Sequence, residues 1–330
     1  MKYTDNSMNL LTANSYKGVG KGWIVQNLKG SESVETIVSL LNDKIEKETT
    51  VSEFERLRKQ IEIRLLQKLA GFCDGFVALG DQNFPQYRGG VKDSERPVFL
   101  FFKGDISLLN IENKNISVIG LLNPGGDIEE RERKIVAAFV KHGATIVSGL
   151  ALGCDSISHQ QALESKGKTV AILSCPLSSI IPTRNRGLAY QIAKEGGLLV
   201  SEYGSDFKNL PELTRRYKER DRLQALFCNA MVLTAGYARN TAELRKIPGP
   251  KPDSGALLAM GYAKQYKIPR AVMYDNLSDE NNPMFDLNRD LISEKNDITV
   301  IGQHNVPETV AKIMMQKPEV KTRKPSEKSL

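Results

Sequence analysis

Residues 116–155 read ISVIGLLNPGGDIEERERKIVAAFVKHGATIVSGLALGCD, and this stretch decides the fold. Ile116–Gly120 is a short apolar run ending in glycine, the pattern of a strand buried on both faces. Glu129–His142 spaces its apolar residues as an amphipathic helix, and Thr145–Gly149 is the next strand and turn. Downstream the alternation continues: helix Ser156–Ser165, strand Thr169–Leu173, helix Asn185–Lys194, strand Gly197–Ser201, helix Arg220–Phe227, strand Ala230–Thr234, helix Ala256–Tyr266 and strand Arg270–Tyr274. Short apolar strands separated by helices imply parallel βαβ units, hence an α/β fold with a doubly wound, mostly parallel sheet over 114–305. Ligands of such sheets lie at the carboxyl ends of the strands, which makes the turns after the strands the places to search.

Upstream, residues 1–70 read as a small helical domain, with Leu10, Leu11, Trp23, Ile24, Leu28, Val34, Ile37, Val38 and Leu41 at helical intervals. Thr50–Leu69 is a charged amphipathic helix whose apolar face carries Phe54, Leu57, Ile61, Leu65 and Leu69. Residues 71–113 change to Gly, Pro and Phe punctuation with the apolar run Pro97–Phe102, a connecting segment packing an extended piece on the next domain. Residues 306–330 hold a helix end and then a tail, KPEVKTRKPSEKSL, whose composition predicts a disordered basic segment. No internal repeat is visible.

Lys and Arg number 46 against 39 Asp and Glu, a formal charge of +7, which tilts the balance toward a polyanionic partner without deciding it. The four cysteines (Cys73, Cys154, Cys175, Cys228) form no C-x-x-C pair, and with only three histidines no metal-ligand spacing exists. Neither a metal nor an organic cofactor is expected, and the thiols read as free, buried groups in a reducing compartment. A signal pattern and a membrane-spanning run are both missing, so the expected location is the cytoplasm.

Four turns after strands are rich in Gly, Ser and Asn: Gly120–Gly126, Ser148–Asp155, Ser174–Asn185 and Asp253–Leu257. Glycine permits close backbone approach, and free amides at a helix start bind phosphate oxygens. None fits the dinucleotide or P-loop fingerprints. Ser148, Gly149, Gly153, Ser254 and Gly255 are therefore candidate anion contacts. The densest basic cluster, Arg215-Arg216-Tyr217-Lys218-Glu219-Arg220-Asp221-Arg222, combines cations with an aromatic, as a grip on an unstacked strand needs; its bland alternative is a solvated helix face. Arg184 and Arg186 form a smaller cluster. For single residues the bland reading prevails: His159 as a structural hydrogen-bonder, Asp155 as the organiser of its turn, Trp23 as core.

Ser148–Asp155 (SGLALGCD) followed by His159, Ala162 and Leu163 resembles the pattern SGLARGIDxxAHxxAL of the DprA/Smf (DNA-processing protein A) family. Thr169–Leu173, Pro182–Asn185, Gly197–Tyr203, Arg220–Arg222 and Ser254–Leu257 resemble that family's TIAVL, YPxxN, GLLLSEY, RNR and SGSL motifs. Leu79-Gly80-Asp81, Phe84-Pro85 and Phe102–Asp105 resemble its segment leading into the Rossmann-like domain. The Gly18–Lys21 turn resembles its helical amino-terminal region (of sterile-alpha-motif or helix-hairpin-helix type), making Gly18, Gly20 and Lys21 candidate DNA-backbone contacts. The resemblance implies a non-catalytic, commonly dimeric binder of single-stranded DNA that works with the RecA recombinase during DNA uptake.

The departures are specific. Leu122 stands where the family has the Arg of GSR, Leu152 where it has the Arg of ARG, and Asp221 where it has the Asn of RNR. An added segment, Gly236–Asp253, carries Arg239, Arg245, Lys246 and Lys251, which restore charge to that face or dock a protein. Two alternatives stay open: a regulatory or antitoxin partner of a phosphoribosyltransferase-like effector in phage defence, and a nucleotide sensor or phosphoribohydrolase-like enzyme suggested by Pro124-Gly125-Gly126.

Overall fold

The computed structural model describes residues 1–246, 255–294, 297–316 and 318. Nine strands form one sheet among these residues: β1 Gly75–Ala78, β2 Phe99–Gly104, β3 Asn115–Ile119, β4 Thr145–Ser148, β5 Thr169–Leu173, β6 Leu198–Ser201, β7 Ala230–Leu233, β8 Arg270–Met273 and β9 Ile298–Ile301, in the order β1-β2-β6-β5-β4-β3-β7-β8-β9. Among β3–β9 every pairing of one with another is parallel, with Ile116 opposite Ile146 in β4 and opposite Ala230 in β7. The chain winds outward from β3 to β6, then returns to the other side of β3 at β7. That reversal makes the doubly wound topology and puts the switch point at β3.

Period-2 alternation sends successive side chains to opposite faces. Val170 and Ile172 enter the larger core, with Phe139, Phe227 and Met260, while Ala171 and Leu173 enter a second core with Phe54, Leu28 and Ile24. The amino-terminal helices Asp5–Ala13, Lys21–Asn27, Val34–Asn42 and Val51–Leu69 thus share a core with the sheet. Asp81 ties them down, accepting from the side chains of Thr4 (2.6 Å), Asn6 (2.8 Å) and Ser7 (2.5 Å). Thr50 caps the longest of these helices in a reciprocal capping box with Glu53.

Residues 71–113 supply the two antiparallel strands, β2 pairing with β6 and β1 with β2. From the same segment Arg88 inserts, fully buried, beneath the core. Its guanidinium donates to the carbonyls of Phe227 (3.2 Å), Asn110 (3.0 Å) and Asn113 (2.9 Å).

Two elements depart from the sequence pattern. The helix expected over 220–227 runs Leu210–Leu226, started by Asn209, whose side chain accepts from the Glu212 amide, with Pro211 in the first turn. Its first half lacks apolar periodicity because it lies mostly at the surface, and its one buried residue is Arg216. β9 and the helix Val306–Met315 extend the sheet beyond β8. The basic tail falls on residues outside those described, apart from Pro318.

Candidate nucleic-acid interface

The turns after β3, β4 and β5 open into a cleft of about 410 Å³, closed by the middle of the Leu210–Leu226 helix and the start of the Gly255–Gln265 helix. Gly149, Ala151, Ser174, Pro182, Tyr217, Lys218, Arg220 and Gly255 all line it. With Leu122 from the turn after β3, five stretches distant in sequence therefore meet at the carboxyl edge, at the position the doubly wound topology assigns to a ligand.

Asp155 organises the floor. One of its oxygens accepts from the amides of Gly149 (3.1 Å) and Ala151 (3.2 Å) and from Arg220 Nη1 (3.1 Å). Arg220 Nε lies 3.0 Å from Asp221 Oδ1, so this buried guanidinium sits between two carboxylates. Burial pulls its pKa down, but Asp221 and Asp155 outweigh burial and hold it above the ordinary value. The close approach demands glycine at 149, where a Cβ would fall 1.1 Å from Arg220 Nη1. Asn185 staples the next turn to this one, donating to the carbonyls of Leu150 (2.9 Å) and Ala151 (3.0 Å).

The expected anion cradle is accordingly corrected. The Gly149 amide is occupied by the chain's own carboxylate, and Ser148 Oγ donates to Val118 O at 2.7 Å, deep beneath the surface. Gly153, at φ 71°, shapes the turn into the Cys154–Glu164 helix. Gly255 lines the cleft, whereas Ser254 lies outside the described residues.

The basic cluster divides in two. Arg215, Tyr217 and Lys218 are exposed, Arg215 lying 3.5 Å from Glu219. Arg216 and Arg222 are buried braces instead of exposed grips. Arg216 pairs with Glu212 (2.7 Å), donates to Ser205 O (2.7 Å) and stacks over Tyr203, its guanidinium carbon 4.1 Å from the ring centroid. Arg222 pairs with Glu202 at 2.5 Å and also donates to Glu95 O. Arg216 is buried against Tyr203 and Glu212, and Arg222 lies in the 220–226 stretch that is buried on every side, which the unbroken run of charges concealed. Arg184 and Arg186 are exposed just beyond Pro182, with Arg186 Nε held on Ile180 O at 3.1 Å.

The amino-terminal contacts need a similar correction. Lys21 reaches the core, 3.0 Å from Glu202 and 3.5 Å from Glu219, where it latches the helical region instead of facing a polymer. Gly18 and Gly20 are exposed, Gly18 at φ 87°. In the added segment Arg245 pairs with Asp286 at 2.9 Å. Lys251 lies outside the described residues.

Behind the floor sits a buried polar group. Ser158 Oγ donates to Glu132 at 2.6 Å, and burial pushes the Glu132 carboxyl up to about 8. His159 Nδ1 lies 2.7 Å from Thr169 Oγ1, and burial lowers the imidazole pKa to about 4. Neither residue lines the cleft. All four cysteines are free and buried, and no group of His, Cys, Asp and Glu among the described residues has the geometry to hold a metal.

The family model for DNA recombination-mediator protein A matches residues 75–245, which hold β1 through β7 and most of the cleft. The chain belongs to the DprA family. Among curated DprA relatives, the Smf protein of Synechocystis is 31% identical over 193 residues, 58% of this chain and 44% of its own length. The DNA processing protein DprA of Bacillus subtilis is 30% identical over 132 residues, covering 40% of this chain and 43% of its own. The matches thus span less than half the length of these relatives. A solved DprA structure from Streptococcus pneumoniae superposes with a TM-score of 0.66 at 21% identity, covering 94% of this chain and 98% of that one. A DprA from Helicobacter pylori, whose structure is described in terms of its single-stranded DNA binding mode, gives 0.53 at 24% identity, covering 71% and 98%. These two likenesses show the fold.

Proposed function

We propose that this chain binds single-stranded DNA across the carboxyl edge of its sheet, as a binding protein and not an enzyme. The observation that carries the reading is the convergence of the Gly149–Ala151 turn, Ser174, Pro182 and the Tyr217-Lys218 pair on one cleft, with Arg184, Arg186 and Arg215 exposed on the segments that form its walls. Cations flanking a groove with an aromatic inside it are what a flexible polyanion requires. A binding role fits the engagement of the nearby titratable groups: Asp155 is tied to Arg220, and His159 is buried against Thr169. The four buried free thiols suit a reducing, cytoplasmic setting. Family membership supports a place in DNA recombination, with a recombinase as the partner that receives the strand.

The test is a salt-titrated binding curve with labelled single strands. Log affinity falls linearly with log salt, and Arg184→Ala with Lys218→Ala flattens the slope by about 0.7 per lost phosphate contact. A folded wild-type protein that binds no strand at low salt, or binds with no salt dependence, overturns the reading.

A further inference from the structure

We infer that a second groove, on the seam between the amino-terminal helices and the sheet, docks an acidic segment of a partner protein through large apolar side chains on that segment. The groove has a volume of about 360 Å³ and shares no lining residue with the cleft described above. Its walls come from the end of the Asp5–Ala13 helix, the Val51–Leu69 helix, β2 and the turn after β6. The floor is apolar. Phe101 and Leu65 form its buried part, and Leu11 and Ile61 are its half-buried shoulders. The turn after β6 lies flat against this floor at Gly204, where a Cβ would fall 2.9 Å from Phe101 Cζ and 3.2 Å from Leu65 Cδ1.

The rim sets the sign of the occupant. Arg64 and Lys68 stand one turn apart on the same face of their helix, both exposed and without an ion pair among the described residues. No carboxylate lines the groove. Elsewhere on that helix the cations are engaged, Arg58 with Asp5 at 2.5 Å and Lys59 with Glu62 at 3.2 Å. The half-buried side-chain amide of Asn14 and the exposed hydroxyl of Ser205 also have no hydrogen-bond partner among the described residues. An apolar floor with cations and open polar groups at its rim is matched by a peptide that inserts apolar residues and lays carboxylates on the edge. A bare phosphate chain would use the two cations and leave the floor wet. The chain's own lysine-rich stretch 317–330 has the wrong sign to fill the groove. The inference is independent of the single-strand reading.

The experiment measures, by fluorescence anisotropy at low salt, binding of the labelled peptide Asp-Glu-Leu-Phe-Asp-Glu-Leu-Phe to the full chain. One control peptide carries Ser in place of the acids and another carries Ala in place of Leu and Phe. Wild type is expected to bind the parent peptide about tenfold or more tightly than either control, because charge and apolar burial both contribute. Arg64→Glu/Lys68→Glu is expected to lose the parent peptide by about tenfold or more, with an unchanged thermal melt and unchanged affinity for single-stranded oligothymidylate. Ser205→Trp, which fills the groove without altering its charge, is expected to weaken the peptide as well. No binding of the parent peptide by wild type, equal binding of all three peptides, or undiminished peptide binding by the charge-reversed variant overturns the inference. Loss of oligothymidylate by that variant would assign the groove to nucleic acid and overturns it too.

Discussion

Asp155 Oδ2 lies 3.1 Å from Arg220 Nη1, joining the turn after β4 to the middle of the Leu210–Leu226 helix across the floor of the cleft. Both side chains are buried, and Asp221 completes the pairing on the other side of the guanidinium. Removing one member of such a group strands a charge in a poorly solvated place. Arg220→Ala leaves Asp155 and Asp221 facing each other, and is expected to lower stability by about 3–5 kcal/mol in urea unfolding. A loss below about 1 kcal/mol would show that water reaches this floor.

The buried carboxyl and imidazole behind the floor give a signed pH profile. Glu132 is raised from 4.5 to about 8, so the folded protein holds a proton the unfolded chain has lost, and stability falls as pH rises through that window. His159 is lowered from 6.5 to about 4, so it acts oppositely: the unfolded chain takes the proton, and stability is lost as pH falls from 6.5 toward 4. The two effects oppose each other below pH 6.5, and Glu132 acts alone between the two windows' upper limits, 6.5 and 8. Unfolding free energy is expected to decline there by up to about 1.4 kcal/mol per pH unit, and Glu132→Gln to remove that decline. An unchanged slope in the variant would assign it to other groups.

Arg88 is a structural peg. Replacing it by Ala removes a donor from three carbonyls: Phe227 O keeps Asn115 Nδ2 (3.1 Å) and Asn110 O keeps the Asn113 amide (3.1 Å), while Asn113 O loses its partner at a cost of about 1–3 kcal/mol, and the emptied volume of a fully buried side chain adds to the loss. Arg88→Ala should therefore fall well below wild type in thermal denaturation. Arg88→Lys should not rescue it, because an ammonium cannot span three acceptors as the planar fork does.

Glu202 and Lys21 form one latch with unequal burial, their side chains being 1% and 25% exposed. Glu202→Ala strands the buried Arg222 and is expected to cost about 3–5 kcal/mol. Lys21→Ala leaves the Arg222–Glu202 pair intact and should cost about 1 kcal/mol or less. Urea unfolding of both variants checks the ranking, and equal losses would contradict it.

The sheet was legible because its strands are short apolar runs ending in glycine, and Ile116–Gly120 and Thr145–Gly149 carry that signal alone. The convergence on one edge followed from topology, since parallel strands deliver all their post-strand turns to the same side. The state of each cation was hidden. In 215–222 the spacing of charges gives no hint that Arg216 and Arg222 face inward, because their carboxylate partners Glu212 and Glu202 are set by helix phase and by a strand end. Asp155 was readable as the organiser of its turn. That it also spends the amides of a phosphate-like nest depends on the αL backbone of Leu150, at φ 58°, which no local pattern announces. Asn185 and Arg88 act on carbonyls far away in sequence, so their roles emerge only once the chain is folded.

Ultraviolet cross-linking of a single-stranded oligonucleotide, with the modified peptides mapped by mass spectrometry, tests the central claim most directly. Adducts are expected on the peptides bearing Leu152, Pro182–Arg186 and Tyr217-Lys218, all at the carboxyl edge. Adducts concentrated instead at the amino ends of the strands, around His142–Ala144 or Lys166–Lys168, would place the strand on the opposite edge and contradict the account.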